Sequence, residues 1–198
     1  MDLRGWNERY RSGERPAEDI EAAPTPLVIE TAKKLTPGKA LDLACGAGRN
    51  ALWLAEHGWS VTAVDGAQAA IEIVRRRASE RSVTVDARVA NLENNEYQIE
   101  PSAWDLIVMS YYLQRDLFEP AKRGLKPGGT LIAIVHTTEP GEEPNYKRLR
   151  PGELKVFFQD LEILHHYEGK PNDAAHHRGV AEVVARRPRL PSDSLNHD

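Results

Sequence analysis

Residues 41–58, LDLACGAGRNALWLAEHG, decide how this chain folds. A short apolar run holding one acid, Asp42, leads into two closely spaced glycines and then into a helical pattern. Gly46, Gly48 and Ala51 fit G-x-G-x-x-G/A, and an acidic residue, Asp65, follows Gly46 by nineteen positions. That is the pattern of a strand, a tight turn and a helix built to bring backbone close to a ligand.

Glycines at 46 and 48 let the chain bend sharply, and the helix that follows presents backbone N–H groups at its start, where a carboxylate or phosphate is favoured. Asp65, at the end of the next strand, is placed to accept hydrogen bonds from both hydroxyls of a ribose. The same residues also fit a plain tight turn with Asp65 capping the following helix. If a ligand is bound, the spacing leaves two ribose-bearing candidates, a nicotinamide dinucleotide and S-adenosylmethionine. Asp42 separates them: an anion four residues before Gly46 suits an α-ammonium group and sits badly beside a pyrophosphate. The chain is also short for a dehydrogenase carrying its own substrate domain.

Working outward, strands are expected at 39–44, 60–65, 83–89, 104–110 and 129–136, separated by helices at 48–57, 67–80 and 114–124. Short apolar strands alternating with amphipathic helices give a doubly wound, Rossmann-like α/β sheet. Beyond Thr138 a polar stretch rich in proline and glycine leads to a helix near 151–159. Two further strands, 161–168 and 178–186, pair as an antiparallel hairpin. Upstream, Trp6 and Tyr10 share a helical face, and 27–35 reads as a short helix after Pro24 and Pro26. One domain over 1–188 is expected, with 1–35 as a helical lid and first helix and a disordered tail at 189–198.

The chain of 198 residues carries a net charge of −4, a pI near 6.0 and a mean hydropathy of −0.55. It lacks the basic excess that nucleic acid would call for, and its longest apolar run, LIAIV, is far too short to span a membrane. With one cysteine, Cys45, an intrachain disulfide is impossible, and a cytoplasmic location with no nucleic-acid or membrane partner is expected. Either a monomer or a homodimer fits.

These motifs resemble the class I S-adenosylmethionine-dependent methyltransferases, and within them the group related to the tellurite-resistance methyltransferase TehB. The resemblance runs through WNERYRSGE (6–14), the glycine turn and Asp65, VANLENN (89–95), WDLIVMSYYLQRDLF (104–118), LKPGGTL (125–131) and LRPGELKVFFQDLEIL (149–164). It implies a seven-stranded sheet of order 3-2-1-4-5-7-6 with strand 7 antiparallel. It further implies that Asp42, Gly46 and Gly48 hold the methionine end of the cofactor, Asp65 the ribose, and Asn91 with Leu92 the adenine edge. Many relatives have aspartate at the position of Asn91; an amide can still donate and accept there.

By the same resemblance, Ser110 lies near the methionine part and Tyr111 and Tyr112 near the methyl group, where aromatic faces suit a sulfonium cation. Trp6, Arg9 and Tyr10 form a W-x-x-R-Y lid over the cofactor, and Arg49 and Asn50 correspond to the G-R-N of the group. Histidines at 176 and 177 precede the last strand, where relatives carry substrate-side His and Arg, so His177 joins Tyr111 and Tyr112 as a substrate-side candidate. The implied activity is methyl transfer to a small molecule, a chalcogen oxyanion such as tellurite or selenite, or a thiol. A non-catalytic S-adenosylmethionine-binding domain and an NAD-dependent oxidoreductase are the alternatives.

Other features have plainer readings. His165 and His166 are adjacent on a strand and point to opposite faces, so they do not chelate together and no metal is expected. Cys45 reads as a small packed side chain, and the arginines at 75–77 as a solvated helix end favoured by the helix dipole.

Overall fold

The computed structural model describes residues 3–12, 23–139, 141–142 and 147–189. Seven strands form one sheet: β1 (Lys39–Leu43), β2 (Ser60–Asp65), β3 (Val85–Val89), β4 (Trp104–Ser110), β5 (Leu125–His136), β6 (Glu162–Gly169) and β7 (Val180–Arg186). Their order is β3-β2-β1-β4-β5-β7-β6. β1 to β5 run parallel, and β7 is antiparallel to both β5 and β6. Both the α/β class and the strand order expected from the sequence hold.

The helices are α1 (Leu3–Ser12), α2 (Pro26–Ala32), α3 (Arg49–Glu56), α4 (Gln68–Glu80), α5 (Phe118–Gly124) and α6 (Glu153–Phe157). Alternation along the central strands sends side chains into two cores. On β4, Ile107 and Met109 pack with Leu41, Leu131, Phe118 and Phe158 on one face. Leu106 and Val108 pack with Ala40, Leu54, Trp59 and Ile71 on the other. Burial on both faces explains why these strands read as near-continuous apolar runs.

Two elements differ from expectation. β5 begins at Leu125, which pairs with Trp104, and the register then shifts before Leu106 pairs with Thr130. KPGG is therefore a bulge within the strand. Gly128 has φ +81°, and a Cβ on Gly129 would lie 2.8 Å from the Trp104 carbonyl oxygen, so two glycines are what let the strand kink and resume. The expected helix 114–124 starts as a 3-10 turn, Arg115–Leu117, before α5. Of the expected tail only Arg189 is described, and residues 13–22 of the expected lid lie outside the described residues. Among the described residues no helix is long and apolar enough to cross a membrane.

The sheet reverses its winding between β1 and β4. That places a crevice at the C-terminal ends of these two strands, where ligands bind in open α/β sheets.

Candidate functional site

A cleft of about 470 Å³ opens at that crevice. One wall is the glycine turn after β1. Gly46 has φ +54°, and a Cβ there would lie 2.6 Å from the Tyr10 hydroxyl, so the turn admits only glycine beneath α1. The turn is tied to β2: Asp65 Oδ2 accepts from Gly46 N–H at 2.9 Å and its Oδ1 from Ala67 N–H at 2.8 Å. Asp65 thus orders both the turn and the start of α4, and it lines the cleft. The ligand-binding and the turn-capping readings of Asp65 describe the same geometry.

Asp42 also faces the cleft with 1% of its surface exposed. Its Oδ2 accepts from Ala51 N–H at 3.1 Å, in the first turn of α3. Burial pushes its pKa up to about 7, against the pull of the Ala51 N–H and the Arg49 guanidinium. A buried carboxylate with no direct cationic partner among the described residues is suited to a ligand cation.

Asn91 and Leu92 line the opposite end with Glu93. Asn91 Oδ1 accepts from Glu93 N–H at 3.0 Å, capping a 3-10 turn, Leu92–Asn94. Gln114 steadies this end: its Nε2 donates to the Leu92 carbonyl at 3.2 Å, and its Oε1 accepts from the Tyr112 hydroxyl at 2.7 Å. Sequence reasoning passed over Glu93 and Gln114.

The end near β4 and β5 is aromatic and paired. Tyr111, at φ +61° just past β4, stacks on His176 at 3.4 Å and lies 5.3 Å from the His136 ring. Asp173 organises this end from the β6–β7 connection. Its carboxylate takes Arg49 Nη2 at 2.6 Å and Nη1 at 3.3 Å, and the Tyr111 hydroxyl at 3.0 Å. Its backbone carbonyl accepts from His176 N–H at 3.0 Å. Burial alone would raise the Asp173 pKa, but Arg49, Ala175 N–H and the Tyr111 hydroxyl hold it below the usual carboxylate range. Burial, and then the Asp173 charge, push the Tyr111 phenol well above its ordinary value. Asn50 bridges Thr25 N–H and the Ser110 hydroxyl, at 2.9 and 3.3 Å, so it joins α2 to the β4 edge.

Of the residues expected at the site, Trp6, Tyr10, Asp42, Gly46, Arg49, Asn50, Asp65, Asn91, Leu92, Ser110, Tyr111 and Tyr112 line the cleft together. Three do not. Gly48, at φ +81°, packs against Val74, whose Cγ2 would lie 2.8 Å from an added Cβ, so it serves the approach of α3 to α4. Arg9 is not a lining residue and sits over the ring of Trp6, which is, at 5.4 Å. His177 is exposed, and its neighbour His176 lines the cleft instead. The irregular connection before β7 offers no period from which to phase the two histidines.

His136 and Asp173 were not anticipated. His136 is the last residue of β5, where the pattern of the strand alone gives no reason to single out its side chain. Its Nδ1 is buried and has no hydrogen-bond partner among the described residues. Burial holds its pKa below the ordinary value, opposed by a hydrogen bond to the Gly179 backbone. Arg77 is a further correction. It is 8% exposed, and its Nη1 donates to the Ala47 carbonyl at 3.0 Å, so the run at 75–77 is not uniformly solvated. Arg75 and Arg76 are the exposed ones, and Arg76 pairs with Glu80 at 3.8 Å. Cys45 is packed at 9% exposure beside the turn, where burial raises its thiol pKa well above the usual value.

Comparison with known proteins agrees with this layout. The profile of the family described as "Tellurite resistance protein TehB" matches residues 20–178. A Haemophilus influenzae protein named "Probable S-adenosyl-L-methionine-dependent methyltransferase TehB" is 28% identical over 156 residues, 71% of this chain and 52% of that protein. A "Ubiquinone biosynthesis O-methyltransferase" of Xanthomonas campestris is 30% identical over 131 residues, 63% of this chain and 54% of that one. The crystal structure of TehB from H. influenzae superposes with a TM-score of 0.69 at 25% identity, covering 81% of this chain and 61% of that one. The chain thus spans little more than half the length of these relatives.

Proposed function

The chain belongs to the TehB family, and from that premise we propose that it binds S-adenosylmethionine in the β1–β4 cleft and transfers the methyl group to a small acceptor bearing a chalcogen atom, an oxyanion such as tellurite or selenite or a thiol. The observation that carries the reading is the pairing of two buried or half-buried carboxylates with a tight glycine turn, Asp42 under α3 and Asp65 holding Gly46 N–H at 2.9 Å. This arrangement fits a ligand with a ribose and a nearby ammonium group. It does not fit a pyrophosphate, because Gly46 N–H is already engaged and Asp42 adds negative charge beside the turn. The nicotinamide alternative loses its phosphate site on this account.

When bound, the cofactor supplies an electrophilic methyl on a sulfonium. The chain's residues bind and orient. Asp65 accepts the ribose hydroxyls, Asp42 faces the ammonium, and Asn91 with the 3-10 turn meets the adenine edge. Tyr10 and Trp6 on α1 cover the cleft and exclude water. Tyr111 is already stacked on His176, so Tyr112, which also lines the cleft, is the ring to meet the cationic end, an attraction of about 0.5–2 kcal/mol. Alignment of the acceptor with the methyl is the main contribution to rate, up to roughly 7–11 kcal/mol when geometry is well set.

The test is direct. Incubate the protein with methyl-labelled cofactor and tellurite, selenite or small thiols, and follow S-adenosylhomocysteine and labelled product by mass spectrometry. Formation of both in equal amounts supports the reading. Cofactor binding without turnover on any acceptor would leave a binding domain instead, and stabilisation by NAD alone would overturn the cofactor assignment.

A further inference from the structure

Tyr112 lines the cleft, but its hydroxyl is engaged behind the wall. The phenol donates to Gln114 Oε1 at 2.7 Å, and Gln114 itself does not line the cleft. The same amide donates from Nε2 to the Leu92 carbonyl at 3.2 Å. One side chain behind the wall therefore joins two residues of the wall, Leu92 beside Asn91 and Tyr112 beside Tyr111.

This chain of bonds runs in one direction only. The Leu92 carbonyl can only accept, so the Gln114 group that faces it is the NH2. The amide oxygen is left for the phenol, which must donate. The Tyr112 proton is committed in this way, and what Tyr112 offers a ligand is its ring.

Both ends of the amide are anchored. The Gln114 carbonyl accepts from Leu117 N–H at 3.1 Å, at the start of the 3-10 turn Arg115–Leu117. The next residue, Arg115, donates from Nε to the Glu153 carboxylate at 2.7 Å and from Nη2 to the Arg148 carbonyl at 3.0 Å. At the far end, the Leu92 carbonyl also takes Asn95 N–H at 3.1 Å, so it belongs to a closed turn. Leu92 and Leu117, each 5% exposed, sit in the core cluster against which Tyr112 packs. The phenol is thus tied to a fixed point, and a ring held this way keeps one place at the cleft.

Resting on the cofactor placement proposed above, we infer that Gln114 is a positioning residue for methyl transfer. It holds the Tyr112 ring at the sulfonium by tying the hydroxyl to the peptide that walls the adenine end. S-adenosylmethionine and S-adenosylhomocysteine differ at that spot by one charge and one methyl, so a ring fixed there discriminates between them. A cation–π attraction of ordinary size corresponds to roughly two- to thirtyfold in affinity. Cutting the tie lets the ring wander and loses part of that discrimination. The adenine, ribose and amino-acid contacts are common to both ligands and cancel in the ratio of their affinities.

The experiment measures Kd for S-adenosylmethionine and S-adenosylhomocysteine by calorimetry on the full chain. The proteins are the wild type, Tyr112→Leu, Tyr112→Phe, Gln114→Leu and the Tyr112→Phe/Gln114→Leu double variant. Tyr112→Leu removes the ring and sets the full loss of discrimination. Tyr112→Phe keeps the ring and cuts the tie at one end, and Gln114→Leu cuts it at the other. Each of these two is expected to raise the ratio of the S-adenosylmethionine Kd to the S-adenosylhomocysteine Kd by roughly threefold. The double variant should raise it no further than either alone, because one tie is cut in all three. A merely structural role for Gln114 would weaken both ligands together and leave the ratio as in the wild type. An unchanged ratio in any folded single variant, or effects that multiply in the double variant, would overturn the inference and leave the methyltransferase reading intact. If Gln114→Leu does not fold, Tyr112→Phe decides alone. A wild type that binds neither ligand would overturn the cofactor reading and the inference with it.

Discussion

Arg77 on α4 donates from Nη1 to the Ala47 carbonyl at 3.0 Å, so a buried cation holds the glycine turn from the side opposite the ligand cleft. Replacing it with Met keeps much of the apolar stem and leaves the carbonyl without its donor. A charge-assisted hydrogen bond of this kind contributes about 1.5–3 kcal/mol. Arg77→Met is expected to lower stability by about 2 kcal/mol in urea unfolding and to weaken S-adenosylhomocysteine binding measured by calorimetry.

Asp65 acts on the turn and on the ligand at once. Asp65→Ala removes the acceptor for Gly46 N–H and Ala67 N–H as well as for the ribose. Affinity for S-adenosylhomocysteine should fall by roughly tenfold or more, since each tenfold corresponds to about 1.4 kcal/mol. Unchanged affinity in a titration would remove the ribose assignment.

Gly48 was expected at the ligand, and its position predicts a stability effect instead. At φ +81° with Val74 close by, Gly48→Ala strains the backbone by roughly 1–2 kcal/mol before any clash is counted. Thermal unfolding should show the loss. Loss of cofactor affinity at full stability would return Gly48 to the binding surface.

Asp42 gives a pH signature. Its folded pKa, about 7, is raised above the model-compound value of 3.8. Its contribution to stability is therefore full below the lower value and is lost as pH rises through the higher one. A bound ammonium group reverses this by favouring the ionised form. Affinity for S-adenosylhomocysteine should rise roughly tenfold between pH 6 and 8, as the ionised fraction grows, and Asp42→Asn should flatten the profile.

Asp173 has the opposite sign. Its pKa is held below the usual range, so the stability it confers is present above the unfolded-state carboxylate pKa and is lost as pH falls through the folded one. Asp173→Asn leaves Arg49 without its charge partner at a site where the two side chains are 14% and 8% exposed. A cost of about 3 kcal/mol at pH 7, shrinking toward acid, is expected in urea unfolding.

The parts of this molecule legible in the sequence are those with a period or a fixed spacing. Alternating apolar runs revealed the strands, the glycine spacing revealed the turn, and the nineteen-residue gap placed Asp65 beside Gly46. Residues that act through tertiary contact carried no such signal. Asp173 is one acid in NDAAHH, Arg77 is one of three arginines, and His136 is simply where β5 stops. The choice of His177 over His176 failed by one position because the connection before β7 has no regular repeat. The strand expected at 129–136 starts four residues earlier; proline and two glycines break the apolar pattern there, while the kink they make lies inside β5.

The most direct test of the central claim is a crystal structure with S-adenosylhomocysteine bound. The account predicts the ligand in the β1–β4 cleft, with both ribose hydroxyls on the Asp65 carboxylate, the amino group facing Asp42, and the sulfur turned toward the Tyr112 ring. A ligand bound elsewhere, or bound with its adenine at the Tyr111 end and its amino acid at Asn91, would contradict it.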